Sequence, residues 1–119
     1  MTATLYGLPN CDACRKARKW LDGAGIAYRF VNYRDDPVPA SVLVQWARQL
    51  GDWDKLVNRS SASWRQLAEE QKHASNDAQW TQLITGYPTL VKRPVLVLDD
   101  GSVSVGFSAE RYELRFDGR

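Results

Sequence analysis

The sequence predicts an α/β fold in which a strand, helix, strand unit opens the chain, a helical stretch follows, and a β-hairpin with a last helix closes it. Three observations carry this. The first third alternates short apolar runs with one amphipathic stripe. The middle third places apolar residues at helical spacing between cap signals. Near the end, Asp99-Asp100-Gly101 separates two short runs rich in Val and Leu, the signature of a hairpin.

Residues 3–6 (Ala-Thr-Leu-Tyr) read as a short buried strand and Gly7-Leu8-Pro9-Asn10 as a turn. Across residues 12–24, Ala13, Ala17, Trp20, Leu21 and Ala24 fall on one stripe of a helix, with Lys16, Arg18 and Lys19 on its solvated face. Residues 28–33 alternate as a second strand, parallel to the first through a right-handed crossover. After the break at Asp35-Asp36-Pro37-Val38-Pro39, residues 41–50 carry Val42, Leu43, Trp46, Ala47 and Leu50 at helical spacing, and Gly51 ends that helix. Further helices are expected around residues 63–70 and 77–85. Residues 94–98 and 102–105 form the hairpin, and residues 109–116 the closing helix. The expected organisation is a single domain over residues 1–119, with a helical insertion at about 38–88. The five tryptophans lie on or beside apolar stripes and are assigned to packing.

With 44% hydrophobic and 25% charged residues, the chain suits one globular domain with a real core. No apolar run approaches the roughly 20 residues of a membrane span. The opening Met-Thr-Ala-Thr-Leu-Tyr-Gly lacks a basic stretch followed by an apolar one, so a cytoplasmic location and no membrane partner are expected. A net charge of +2 with mixed signs gives no footprint for direct nucleic-acid binding.

The chemistry concentrates in "LPNCDACRKARKW", which holds both cysteines. In a reducing compartment a C-x-x-C pair points to catalysis or metal rather than to a permanent staple. A zinc site wants four ligands, and beyond Cys11 and Cys14 the only further candidate among Cys and His is the distant His73, so no metal is expected. His73 itself sits in a polar stretch and reads as exposed. Cys11 falls at the helix entrance, where unpaired backbone N–H groups and the helix dipole favour a thiolate. Arg15 can add positive charge and Asp12 opposes it. Cys14, one turn deeper, is placed to attack a mixed disulfide on Cys11; the plainer alternative is a buried sulfur that only packs.

"LYGLPNCDACRKARKWL", "LVNRSSASWRQL", "KRPVLV" and "VGFSAERY", in that order, make the chain resemble the arsenate reductase (ArsC)-like family of the thioredoxin superfamily, in particular its YffB branch and the related regulator Spx. The resemblance implies a thioredoxin-like fold, with a four-stranded mixed sheet and a helical subdomain between the βαβ unit and the hairpin. It also implies that Pro94 is a cis proline facing the active cysteine, whereas the residues alone show only a restricted strand entry with trans as the default.

An oxyanion or carboxylate near a thiolate calls for guanidinium donors, and Arg15, Arg59 and Arg93 are the candidates; the last two match arginines of the family's anion site by resemblance. An exposed arginine's commonest role is nonetheless a surface ion pair. Two departures stand out: Gly106-Phe107 occupies the place of a further family arginine, and Cys14 that of a serine. The resemblance then implies a thiol-dependent reductase with glutathione as co-substrate and no bound cofactor. It would act on a disulfide, glutathionylated or oxyanion substrate, a protein disulfide included, with arsenate a poor one. The alternative is an Spx-like redox sensor whose partner is RNA polymerase.

Overall fold

A computed structural model describes residues 3–117, and the chain divides into two compact units. One comprises the segments up to Asn32 and from Arg93 onward; the other is Tyr33–Lys92. The second is somewhat longer at both ends than the insertion expected from the sequence.

The first unit is the βαβ and hairpin part. Strand β1 (Ala3–Gly7) leads into helix α1 (Asp12–Gly23) and then strand β2 (Tyr28–Asn32). After the second unit come β3 (Val95–Leu98), β4 (Val103–Val105) and a closing helix, Ala109–Phe116. The sheet is four-stranded and mixed, in the order β2-β1-β3-β4. β1 is parallel to β2 and antiparallel to β3, and β3 is antiparallel to β4. Tyr6 pairs with Val95, which pairs with Val105. The end of β1, the start of β3 and the end of β4 therefore lie side by side at one end of the sheet. That arrangement positions the site.

Period-two alternation sends Ala3 and Leu5 to one face, where Leu96 lies opposite Leu5. Ala17 and Leu21 of α1 and Tyr112 and Phe116 of the closing helix pack on that same face in one cluster. Trp20 makes an edge contact with Tyr112 at 5.6 Å between ring centroids and stacks on Phe116 at 5.9 Å. Arg115 ties the closing helix to the hairpin by donating to the Leu96 carbonyl and to the hydroxyls of Ser104 and Ser102.

The second unit is helical. It contains α2 (Ala40–Leu50), α3 (Trp53–Leu56), α4 (Ala62–Arg65), a 3-10 turn at Glu69–His73, α5 (Asp77–Gly86) and a 3-10 turn at Pro88–Leu90. The closing helix is then α6. Gly51 ends α2 at φ +107, a conformation that glycine adopts without strain. Asp52 starts α3 immediately by accepting from the Trp53 N–H at 2.7 Å. The expected helix at 63–70 is broken: Ser61 caps only four residues, and the chain leaves the helix at Ala68, ψ 155°, once Leu67 has been turned inward and buried. Trp53, Trp80 and Trp64 stack at 6.1 and 6.3 Å. Asp77 holds α2, α3 and α5 together by accepting from Arg48 and from the Trp53 indole N–H.

Candidate active site

β1 ends against the start of α1, and the loop between them delivers the first cysteine. Cys11 occupies the N-cap of α1 with extended backbone, φ −94° and ψ 127°. Its own N–H donates to the Leu8 carbonyl at 3.3 Å, and its carbonyl accepts from Arg15 N–H at 2.9 Å, the first bond of the helix. The sulfur is half-buried. As a thiol it makes no capping bond. Burial opposes its ionisation, but the Cys14 backbone N–H, the Cys14 thiol and the Arg93 guanidinium outweigh this and hold its pKa below the usual thiol value.

Cys14 is a different kind of thiol. It is 1% exposed, on the inner face of α1. Burial pushes it up to about 11 against the backbone hydrogen bond from Leu8, and the neighbouring Cys11 raises it further. Its room is made by Gly7 at the end of β1, where an added Cβ would lie 2.5 Å from Cys14 Sγ. Gly7→Ala must displace that sulfur in a packed interior, and the expected loss is about 1–3 kcal/mol in a denaturant titration. A loss near zero would show that the sulfur moves aside freely.

Arg93 and Pro94 enter from the start of β3. The Arg93–Pro94 peptide is cis, as the resemblance implied, and the Pro94 carbonyl accepts from Gly106 N–H at 2.9 Å. Arg93 is half-buried and is the arginine that acts on Cys11. Arg15 is exposed, and its guanidinium lies 3.7 Å from the Asp12 carboxylate, which Lys16 also approaches at 3.3 Å. Arg59 belongs to the second unit, where it pairs with Asp54 and lies over the rings of Trp64 and Trp80 at 5.2 and 5.8 Å. His73 is exposed at the end of its 3-10 turn, and among the described residues no cluster of His, Cys, Asp and Glu could hold a metal.

The sequence reading missed one buried polar group that interacts electrostatically with Cys14. Tyr112 of α6 is 1% exposed, and its hydroxyl has no hydrogen-bond partner among the described residues. Its ionisation is suppressed by burial and further by the charge that Cys14 would carry. Nothing in the sequence places a tyrosine so late in the chain within electrostatic reach of the second cysteine.

Comparison with known proteins identifies the chain's relatives. The ArsC family matches residues 6–114. A solved structure named YFFB protein is 35% identical, with a TM-score of 0.86 over 94% of this chain and 96% of that one. An arsenate reductase (ArsC) related protein from Brucella melitensis is 37% identical, with a TM-score of 0.73 over 98% and 96%. The global transcriptional regulator Spx of Listeria innocua is 29% identical over 108 residues, covering 90% of this chain and 81% of the regulator.

Proposed function

The chain belongs to the ArsC family, and from that premise we propose that it is a glutathione-dependent thiol reductase working through Cys11 and Cys14. The observation that carries this reading is the asymmetry of the two thiols: one at a helix N-terminus beside Arg93 with a lowered pKa, the other buried and pushed up to about 11.

On a glutathionylated substrate, the Cys11 thiolate attacks the glutathione sulfur. A Cys11–glutathione disulfide forms and the substrate leaves as a thiolate that takes up a proton. Cys14 then gives up its proton and attacks Cys11 Sγ, closing the Cys11–Cys14 disulfide and releasing glutathione. Two further glutathiones return the pair to thiols and leave as glutathione disulfide, so two electrons pass from glutathione to the substrate. When an external glutathione attacks the mixed disulfide first, Cys14 is bypassed. Arg93 stabilises the thiolate before attack and each time it is released. Arg15 and Arg59 are the remaining proposed anion contacts, and each must leave an aspartate, Asp12 or Asp54, to make one.

Turnover of glutathionylated peptide with glutathione, and separately with thioredoxin, tests this reading. Sulfate or glutathione is expected to slow alkylation of Cys11, and Arg93→Ala to remove that protection and raise the Cys11 pKa. Protection that survives the substitution would take Arg93 out of the site. The 29% identity to Spx supports a second reading, a redox switch that contacts RNA polymerase. Direct binding to purified RNA polymerase, with no turnover of any disulfide, would favour it.

A further inference from the structure

The end of the sheet that carries Cys11 also carries an arginine that no part of the mechanism has used. β4 ends at Val105, whose register partner Val95 is also paired with Tyr6 at the end of β1. Adjacent strands are roughly 4.8 Å apart, so Val105 lies two spacings, roughly 10 Å, from the strand that leads to Cys11. Helices α1 and α6 both start from this end of the sheet and pack on the same face.

Gly106 turns the chain from β4 toward α6 at φ +76. Ser108 then caps α6 by accepting from the Arg111 N–H at 3.1 Å, which puts Arg111 in the first helical turn. Its side chain folds back: Nη1 donates to the Val105 carbonyl at 3.2 Å, Nε to Ser108 Oγ at 3.4 Å, and Nη2 lies 3.2 Å from where a Cβ on Gly106 would stand. The guanidinium thus occupies the space that a side chain at 106 would need. It is exposed, and among the described residues it is in no ion pair.

We propose that Arg111 is the specificity-determining cation of this site, taking a carboxylate that lies several bonds from the sulfur bound at Cys11, as in glutathione and other carboxylate-bearing thiol peptides. The assignment rests on the reductase reading and names its substrate class. A compact oxyanion bonded to Cys11 Sγ spans only a few ångströms and stays beside Arg93. A peptide linked through its sulfur reaches two strands further, where Arg111 offers a planar fork that suits a carboxylate. Because Arg111 stands away from the reacting atoms, it acts on binding rather than on the chemical step.

The test uses the full chain and two kinds of disulfide. Arg111→Ala, a helix-compatible change at an exposed position, is expected to raise KM for a glutathionylated peptide about tenfold with kcat little changed, the effect of one lost charge-assisted hydrogen bond. KM for 2-hydroxyethyl disulfide, which has no carboxylate, read as the half-saturating concentration for oxidising the pre-reduced protein without glutathione, is expected to stay the same, as is the pH profile of Cys11 alkylation. Arg111→Lys should recover part of the loss. Equal KM losses on both disulfides, or none on either, would overturn the proposal. S-methylglutathione, which binds but cannot react, supplies a readout independent of turnover. Its protection of Cys11 from alkylation should weaken in Arg111→Ala while protection by sulfate is retained. Failure of all turnover with this protection intact would sink the reductase reading alone; absence of protection in the wild type would sink the Arg111 assignment.

Discussion

Alkylation at neutral pH is expected to modify Cys11 and spare Cys14, and Cys11→Ser to remove the fast reaction. The thiolate is the reacting species, so the relative rates follow the ionised fractions. With Cys14 pushed up to about 11 and Cys11 held below the ordinary value, the rates differ on the order of a hundredfold or more near pH 7. In Cys11→Ser the contribution of the neighbouring sulfur to Cys14 disappears but burial remains, so Cys14 still reacts only in alkali. Stability carries opposite signs for the two groups. Cys11, with a depressed folded pKa, contributes stability above its unfolded pKa that is lost as pH falls through the folded one. Cys14, with a raised pKa, contributes stability that is fully present below about 9 and lost as pH rises through about 11. Cys14→Ala should therefore flatten the alkaline arm of the stability profile. Mass-spectrometric mapping after timed alkylation checks the assignment, and faster modification of Cys14 at neutral pH would reverse the two roles.

Trp80→Ala should cost the fold about 3–5 kcal/mol, the range for removing a large buried aromatic side chain. Trp80 is 5% exposed and lies between two other indoles, with interplanar angles of 15° to Trp53 and 19° to Trp64. Its removal leaves a cavity, two stacking contacts fewer, and one less ring beneath the Arg59 guanidinium. Trp64→Ala, at a half-buried rim position, should cost clearly less. Urea titration followed by circular dichroism measures both. A Trp80 effect under about 1 kcal/mol would mean that the second unit does not depend on this stack.

Cys11 at the helix entrance was legible in the sequence because capping is local: a turn, a helix stripe and a residue between them suffice. The same holds for the closing helix, Ala109–Phe116, whose Ser108 cap sits next to it in the chain. Helix α3 was overlooked although Gly51-Asp52 carries a stop and a start signal, because a four-residue helix leaves no periodicity to read. The helix expected through residue 70 lost to tertiary packing, with Leu67 buried and Ser63 hydrogen-bonded to Thr89 far along the chain. Arg93 beside Cys11 follows from the pairing of β3 with β1, which no local pattern encodes, and it was reached through family resemblance. Arg111 depends on a turn at Gly106 and a folded-back side chain, and nothing in "VGFSAERY" discloses that geometry.

The register that sets Tyr6 against Val95 also has a meaning for the growing polypeptide. Cys11 is made early, and the cation that acts on it comes from a segment made most of a chain length later, so the two meet only after a long loop has closed. Until the hairpin is synthesised and added to the sheet, the nascent protein has what the start of α1 supplies to that thiol and lacks the share of the guanidinium. Its nucleophile reaches full activation only with the completion of its own fold, because the last cation to act on it is the last to be made.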